Sequence, residues 1–351
     1  MPELSLSLSV HAKNNSLDIM KITKTEWNGY QAVVMEAGGW EALLIPAVGA
    51  NLVKLSHKEK KLDILRTPKT DEVEFFAGRP QLFGLPLLFP PNRIEDGTYT
   101  HNGKTYHYPI TIPDQNNHHH GTIKTQPFTV TRTHVGPDYV EVEASYFSNP
   151  VNDAIYSYFP HEFVCRMYFK LSAEGLEHRV TFVNESDSEM PLGVGYHTPI
   201  RIPFVEGGNA DNYKLWMSVG EKWEVNNRTL PTGKLLPLNE TEIQLRTTGL
   251  KPTGTAIEWP MTALPIEVNG RSYNGAVIKD EANGVTVYYE VDDQYKHWTF
   301  WNNGGTVDWA CPEPQTWAIN APNLKLPKEV TGFQAVAPGK QWSAVSKIYV
   351  K

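Results

Sequence analysis

The stretch Glu162–Val183, "EFVCRMYFKLSAEGLEHRVTFV", decides the fold class. Phe163, Cys165, Met167, Phe169 and Leu171 fall on one side of an extended chain, with Arg166 and Lys170 opposite. That is the period of two expected when one face of a strand is buried. "SAEG" reads as a turn, and "LEHRVTFV" alternates again, so the two segments form a hairpin. The same rhythm recurs outward along the chain. In "YVEVEASYF", Val140, Val142, Ala144 and Tyr146 oppose Glu141, Glu143 and Ser145. "TYTHNGKTYHY" places Asn102-Gly103 between two polar-aromatic runs, the signature of a tight primed turn. "EANGVTVYYEVDD" reads the same way around Asn283-Gly284.

Amphipathic helices are scarce; "KTDEVEFFAG" is the best candidate and it is short. Pro and Gly each occur 26 times, spread along the chain, so no linker stands out. Many strands at short spacing describe an all-β fold, a large antiparallel β-sandwich, with residues 1–351 as a single domain. Forty per cent apolar residues suffice for a sizeable core. The net charge of −7, with no basic stripe, argues against nucleic acid or an anionic membrane as partner. There is no signal-like start and no apolar run of spanning length, and Cys165 and Cys311 are too few for a disulfide framework. A cytoplasmic protein is expected.

Four segments break the strand rhythm with polar residues set among Gly, Pro and aromatics. They are "LFPPNRIEDGTY" with Asn92 and Arg93, "HHHGTIKTQPF" with His118 to His120, "GVGYHTPIRIPF" with His197, and "CPEPQTWAINAPN" with Glu313. Loops at the ends of a rigid sandwich commonly hold working residues. Each segment also has a plain structural reading: a solvated carboxylate, a satisfied histidine, a turn-capping arginine. The histidine triplet invites a metal reading as well, with His118 and His120 facing one way and His197 and Glu313 completing a zinc site. No helical or Cys-x-x-Cys ligand spacing accompanies it, so no metal is expected. Cys311 has no sequence-recognisable histidine partner and reads as an inert buried thiol.

Taken together and in order, the four segments resemble the aldose 1-epimerase family, the galactose mutarotases. The resemblance spans about residues 30 to 350 and implies the supersandwich fold of that family, with its site in a cleft on one sheet. It implies Glu313 as general base, His197 as general acid, and His120 and Arg93 as sugar-binding groups, with no cofactor. Asn92, His119 and Trp301 are further sugar-contact candidates. The family's sugar-gripping acid, often an Asp before an aliphatic-aromatic pair, is missing at the comparable place. There the chain reads "NGRSYNGAVIKD", and Tyr273 or Asn274 is expected to substitute.

These residue types suit the chemistry. Opening a pyranose removes the proton of the anomeric hydroxyl and protonates the ring oxygen. A carboxylate can take the first proton. An imidazole whose ordinary pKa is about 6.5 can supply the second. Trp301, Trp309 and Trp317 could stack on a sugar face or fill the core. Two other readings stay open: a hexose-6-phosphate epimerase, with Arg79, Arg201 and Lys124 as phosphate ligands, and a non-catalytic sugar-binding module. A glycoside hydrolase would need a second catalytic carboxylate, and Glu95 and Asp96 read as turn residues.

Overall fold

The computed structural model describes residues 19–351. Two large antiparallel sheets make its body. One has eight strands in the order Thr129–Val135, Tyr139–Ser148, Phe163–Ser172, Gly175–Asn184, Gln341–Val350, Val285–Val291, Gly275–Asp280 and Tyr213–Met217. The other carries the site. Its path runs Pro231–Leu236, Val219–Val225, Glu258–Ala263, His297–Trp301, Trp309–Gln315, Gly195–Tyr196 and Leu87–Leu88, with Ile200–Arg201 joined to Trp309–Gln315. A five-stranded meander, from Met20–Trp27 to Leu62–Asp63, completes the architecture. Among the described residues the α-helices are Val73–Gly78, Asp153–Tyr156 and Lys328–Thr331. The first lies within the segment that the sequence marks as helical. No helix among them is long and apolar enough to cross a membrane.

The alternation in Glu162–Val183 is the cause of the first sheet. Phe163 pairs with Asn184 and Ser172 with Gly175, closing the expected hairpin. Phe163, Cys165, Met167, Phe169 and Leu171 are all buried, and Leu176, Val180 and Phe182 join them from the partner strand. A one-residue slip would turn every one of these side chains to solvent, so the register is strongly specified. One continuous apolar core extends from Val33 to Ile348. The Asn102-Gly103 turn also forms as expected, with φ of 49° and 78° between paired His101 and Lys104. Asn283-Gly284 differs. Asp280 pairs with Val285, leaving a four-residue loop in which Gly284 is left-handed. The Asp280 carboxylate accepts hydrogen bonds from the backbone N–H groups of Ala282 and Asn283 and from the Asn283 amide. Those bonds stabilise the wider loop over a two-residue turn.

The strand pattern also carries His178 inward, stacked on Phe169 with ring centroids 4.6 Å apart. Burial pushes the pKa values of His178 and His297 down to about 3, from an ordinary 6.5. In the unfolded chain each takes up a proton as pH falls through 6.5, whereas in the fold it stays neutral. Folding stability is therefore full above that value and declines below it, by about 2 kcal/mol per histidine at pH 5. Urea unfolding at pH 8 and pH 5 should show the loss, and His178→Leu should reduce it. A pH dependence unchanged in that variant would refute the assignment.

Candidate active site

Glu313 sits in the strand Trp309–Gln315, directly opposite Thr299 of His297–Trp301. Cys311 lies opposite Trp301, and Trp301 in turn opposite Glu258. Because side chains alternate along strands, Glu258, Thr299, Trp301, Cys311 and Glu313 project from one face of the sheet. Trp298 and Phe300 project from the other into the inter-sheet core. His197 follows the short strand Gly195–Tyr196 beside Gln315.

The two other motifs reach the same place as a pair. Arg93–Glu95 and Asn117–His119 form a two-stranded ladder with His119 opposite Arg93. The ladder ends in a left-handed turn on each side, Asn92 at φ 55° and His120 at φ 63°, where the His120 N–H donates to the Asn92 carbonyl over 2.8 Å. Gly121 continues at φ 61°, and a Cβ there would fall 1.9 Å from the Phe89 carbonyl oxygen. Only glycine fits that approach. Lys124 caps the turn by donating to the carbonyls of His120 and Gly121.

This turn changes the expected layout of the triplet. Strict alternation would put His118 and His120 on one side. Instead the left-handed residue swings His120 next to His119, with ring centroids 3.5 Å apart. His118 faces the core against Tyr108, its Nδ1 2.7 Å from the Pro109 carbonyl. The triplet thus supplies two cleft residues and one core residue.

Glu313, His197, His120, Asn92, Arg93, His119 and Trp301 all line one cleft of about 700 Å³. His197 Nε2 lies 3.3 Å from Glu313 Oε1, and both side chains are almost wholly buried. Glu313 Oε2 has no protein hydrogen-bond partner among the described residues. The His120 ring stands edge-on to His197 at 5.4 Å, and Trp301 packs on His197 at 5.2 Å. Arg93 is held by three contacts: Nε donates to Gln115 at 3.2 Å, Nη1 to Asn92 at 3.1 Å and Nη2 to Glu258 at 3.2 Å.

Electrostatically the floor favours uncharged groups. Burial raises the Glu313 carboxyl well above its ordinary range, and the nearby Glu258 charge adds to this while Arg93 opposes it. Burial also lowers His197 to about 3. The sequence-based expectation of a histidinium poised near 6.5 is corrected accordingly. The two groups hold one proton between them over a wide pH range, on either the carboxyl or the imidazole.

Ligand atoms of His120, His197 and Glu313 lie within 4.8 Å of one another, close enough to consider a metal. The surroundings favour hydrogen bonding instead. The Asn92 backbone N–H donates to His120 Nδ1 at 3.3 Å, so neutral His120 keeps its proton on Nε2. A ligating imidazole ordinarily donates from its second nitrogen rather than accepting there. His120 therefore presents a donor on Nε2. Cys311 acquires a histidine neighbour that the sequence did not reveal, its Sγ 3.5 Å from His197 Nδ1. Burial raises its thiol far above the reactive range, so it stays S–H.

Two expected residues lie elsewhere. Tyr273 is buried in a satellite cluster with Ile266, Val277 and Tyr288, and its hydroxyl donates to the Ala276 carbonyl. Asn274 accepts from Ser218 and donates to the Asp292 carbonyl. They flank a strand of the other large sheet, and their polar atoms are already engaged. Besides Glu313 the cleft is lined by the carboxylate of Glu258, which the sequence reading missed along with Thr299 and Gln81. Glu258 opens a strand without a marked motif, and only strand pairing brings it beside Trp301. Of the three proposed phosphate ligands, Arg79 and Lys124 line the cleft, whereas Arg201 pairs with Asp63 at 3.0 Å outside it. Trp317 belongs to the core and stacks on Phe333, whereas Trp309 is buried on the cleft side of its strand, packed against Trp301 and Arg66 rather than lining the cleft.

Residues 31–349 match the family model described as aldose 1-epimerase. A solved galactose mutarotase-like protein from Clostridium acetobutylicum is 39% identical, with a TM-score of 0.93 over 95% of this chain and 98% of that one. The fold alone is shared with galactose 1-epimerase from Lactobacillus acidophilus, at 15% identity and TM-score 0.68 over 95% and 98% of the two chains. The same holds for an aldose epimerase homologue from C. elegans, at 18% identity and TM-score 0.66 over 89% and 96%.

Proposed function

We propose that this chain, which belongs to the aldose 1-epimerase family, interconverts the α and β anomers of a free aldohexose. The observation that carries this reading is the Glu313–His197 pair, 3.3 Å apart on the floor of a polar cleft of about 700 Å³. The pair moves one proton in and one proton out per event. Glu313 takes the proton of the anomeric hydroxyl as His197 delivers one to the ring oxygen. The C1–O5 bond breaks, leaving an open-chain aldehyde. Rotation about C1–C2 presents the other carbonyl face, and reclosure returns both protons. Burial favours the shared proton on Glu313, and the cycle begins from the minor form with that proton on His197, whose cost the Arg93 charge near Glu313 reduces. His120 Nε2–H donates to a sugar hydroxyl, Arg93 grips two oxygens, and Glu258 accepts from a hydroxyl in the role of the family's acid.

Polarimetry on freshly dissolved single anomers of several hexoses tests the reading. Folded protein that never speeds equilibration beyond buffer would end it. The same measurement separates a catalyst from a sugar-binding module, which would bind without any rate.

Arg93→Lys is a sharper probe of the sugar grip. A lysine cannot reproduce three contacts made by three guanidinium nitrogens, so KM should rise about tenfold or more. An unchanged KM would remove Arg93 from the site.

Arg79 supports a second reading. It is exposed on the cleft wall and has no acidic partner among the described residues, a free cation suited to a phosphate ester. Competitive inhibition by inorganic phosphate would favour a hexose phosphate as substrate.

A further inference from the structure

The two-stranded ladder that brings Arg93 and the histidines to the cleft has two ends. One is the cleft turn of Asn92 and His120. The other, where Glu95 pairs with Asn117, is closed by Arg228. Arg228 lies in the loop between the strands Val219–Val225 and Pro231–Leu236, outside the cleft lining. Five acceptors converge on its guanidinium. Nε donates to the Gln115 carbonyl at 2.7 Å and Nη1 to Glu95 at 3.2 Å. Nη2 reaches Asp96 at 2.7 Å, and the Asn116 carbonyl and Asn117 Oδ1 at 3.0 Å each. Asn117 is fully buried, and its amide donates back to the Arg228 carbonyl at 3.1 Å. A planar fork of N–H donors suits such a cluster, and no other side chain supplies one.

Gln115 connects this loop to the cleft. Its side-chain oxygen accepts from Arg93 Nε at 3.2 Å, and its amide nitrogen lies 3.5 Å from Thr229 Oγ1. The other contacts of Arg93 go to the adjacent Asn92 and to Glu258, whose side chain is 43% exposed. Gln115 therefore ties the Arg93 guanidinium to a separately anchored loop. That loop is strained. Thr229 has φ of 58°, a region that β-branched residues rarely adopt. Asn226 holds it there: its side-chain oxygen accepts from the N–H groups of Arg228 and Leu230, and its carbonyl from Thr229. Backbone strain persists only where the surroundings over-determine it, and it concentrates near functional groups.

We propose that Arg228 and Thr229 are positioning residues for sugar binding, acting through Gln115 on the Arg93 guanidinium. This rests on the anomer-interconverting reading above, in which Arg93 grips the sugar. Glu313 and His197 stand on other strands, so the loop governs KM more than kcat.

The first test needs no substrate. In protein carrying 15N-arginine, the Arg93 Nε–H NMR signal, identified by its loss in Arg93→Lys, should exchange slowly with solvent. Arg228→Ala and Gln115→Ala should each speed that exchange about tenfold. The second test is kinetic. Both variants should raise KM roughly threefold to tenfold, the effect of one lost hydrogen bond, with a smaller change in kcat. In an Arg93→Lys background the same replacements should add little, because the Nε donor is already gone. Thr229→Gly removes the strain together with the Oγ1 contact, so its Tm should hold or rise while KM still rises about twofold. An unmoved Arg93 signal would overturn the proposal, as would KM losses that multiply with that of Arg93→Lys. If Arg228→Ala does not fold, Gln115→Ala and Thr229→Gly decide. If the wild type accelerates no sugar, the catalytic reading fails on its own, and the Arg93 Nε–H exchange rate still decides the positioning role.

Discussion

Glu313→Gln is expected to lower kcat by about two to four powers of ten, with sugar affinity little changed. The amide has nearly the shape of the carboxyl, so the packing against Thr299 and the contact with His197 keep their form. What disappears is the ability to take the anomeric proton. The expectation is sharpened by the burial of the site. Glu313 Oε2 meets no protein partner among the described residues, and no second carboxylate shares the floor. Glu258 lies on the same face but at the rim, with its side chain 43% exposed and bonded to Arg93. Initial rates from a single pure anomer measure the loss directly. A variant rate within tenfold of the wild type would mean that another group accepts the proton.

His197→Asn should cost a comparable two to four powers of ten. Asparagine can still donate a hydrogen bond toward the ring oxygen, but it cannot release a proton to it. The accompanying pH profile distinguishes this site from one built on an ordinary histidine. Burial moves His197 down to about 3 and Glu313 upward, so the one-proton form of the pair persists between those limits. In the wild type, kcat/KM should therefore run flat through neutrality, without a step near the ordinary histidine value of about 6.5. It should fall on the acid side only where His197 gains a second proton, and on the alkaline side where Glu313 loses the shared one. A clear inflection near 6.5 in the wild type that is absent from a His120 variant would shift the acid role to His120.

The correct and incorrect parts of the sequence reading have different physical origins. Phe163 to Leu171 could be assigned to a buried face from spacing alone, because a strand has one period and two sides. Asn102-Gly103 was equally legible, since few sequences tolerate two successive left-handed residues. Glu313 and His197 were recognisable as a pair by their surrounding motifs, and the structure brings them together. The histidine triplet was harder. His120 leaves the strand with φ of 63°, and one such residue cancels the alternation on which the facing argument relied. Tyr273 and Asn274 were chosen by position along the chain. Neither lines the cleft; besides Glu313 the carboxylate found there is Glu258, in a strand whose neighbours are set by long-range pairing.

Local pattern was thus sufficient for the strands and the all-β class, because each depends on a few adjacent residues. The family resemblance of their motifs picked out Glu313 and His197, which the fold brings to 3.3 Å. The orientation of His119 and His120, the presence of Glu258 in the cleft and the protonation of the floor followed only from the assembled fold. Each of those is set by groups distant in sequence, or by the loss of water where the segments around Asn92, His120 and Trp301 enclose the outer face of the sheet.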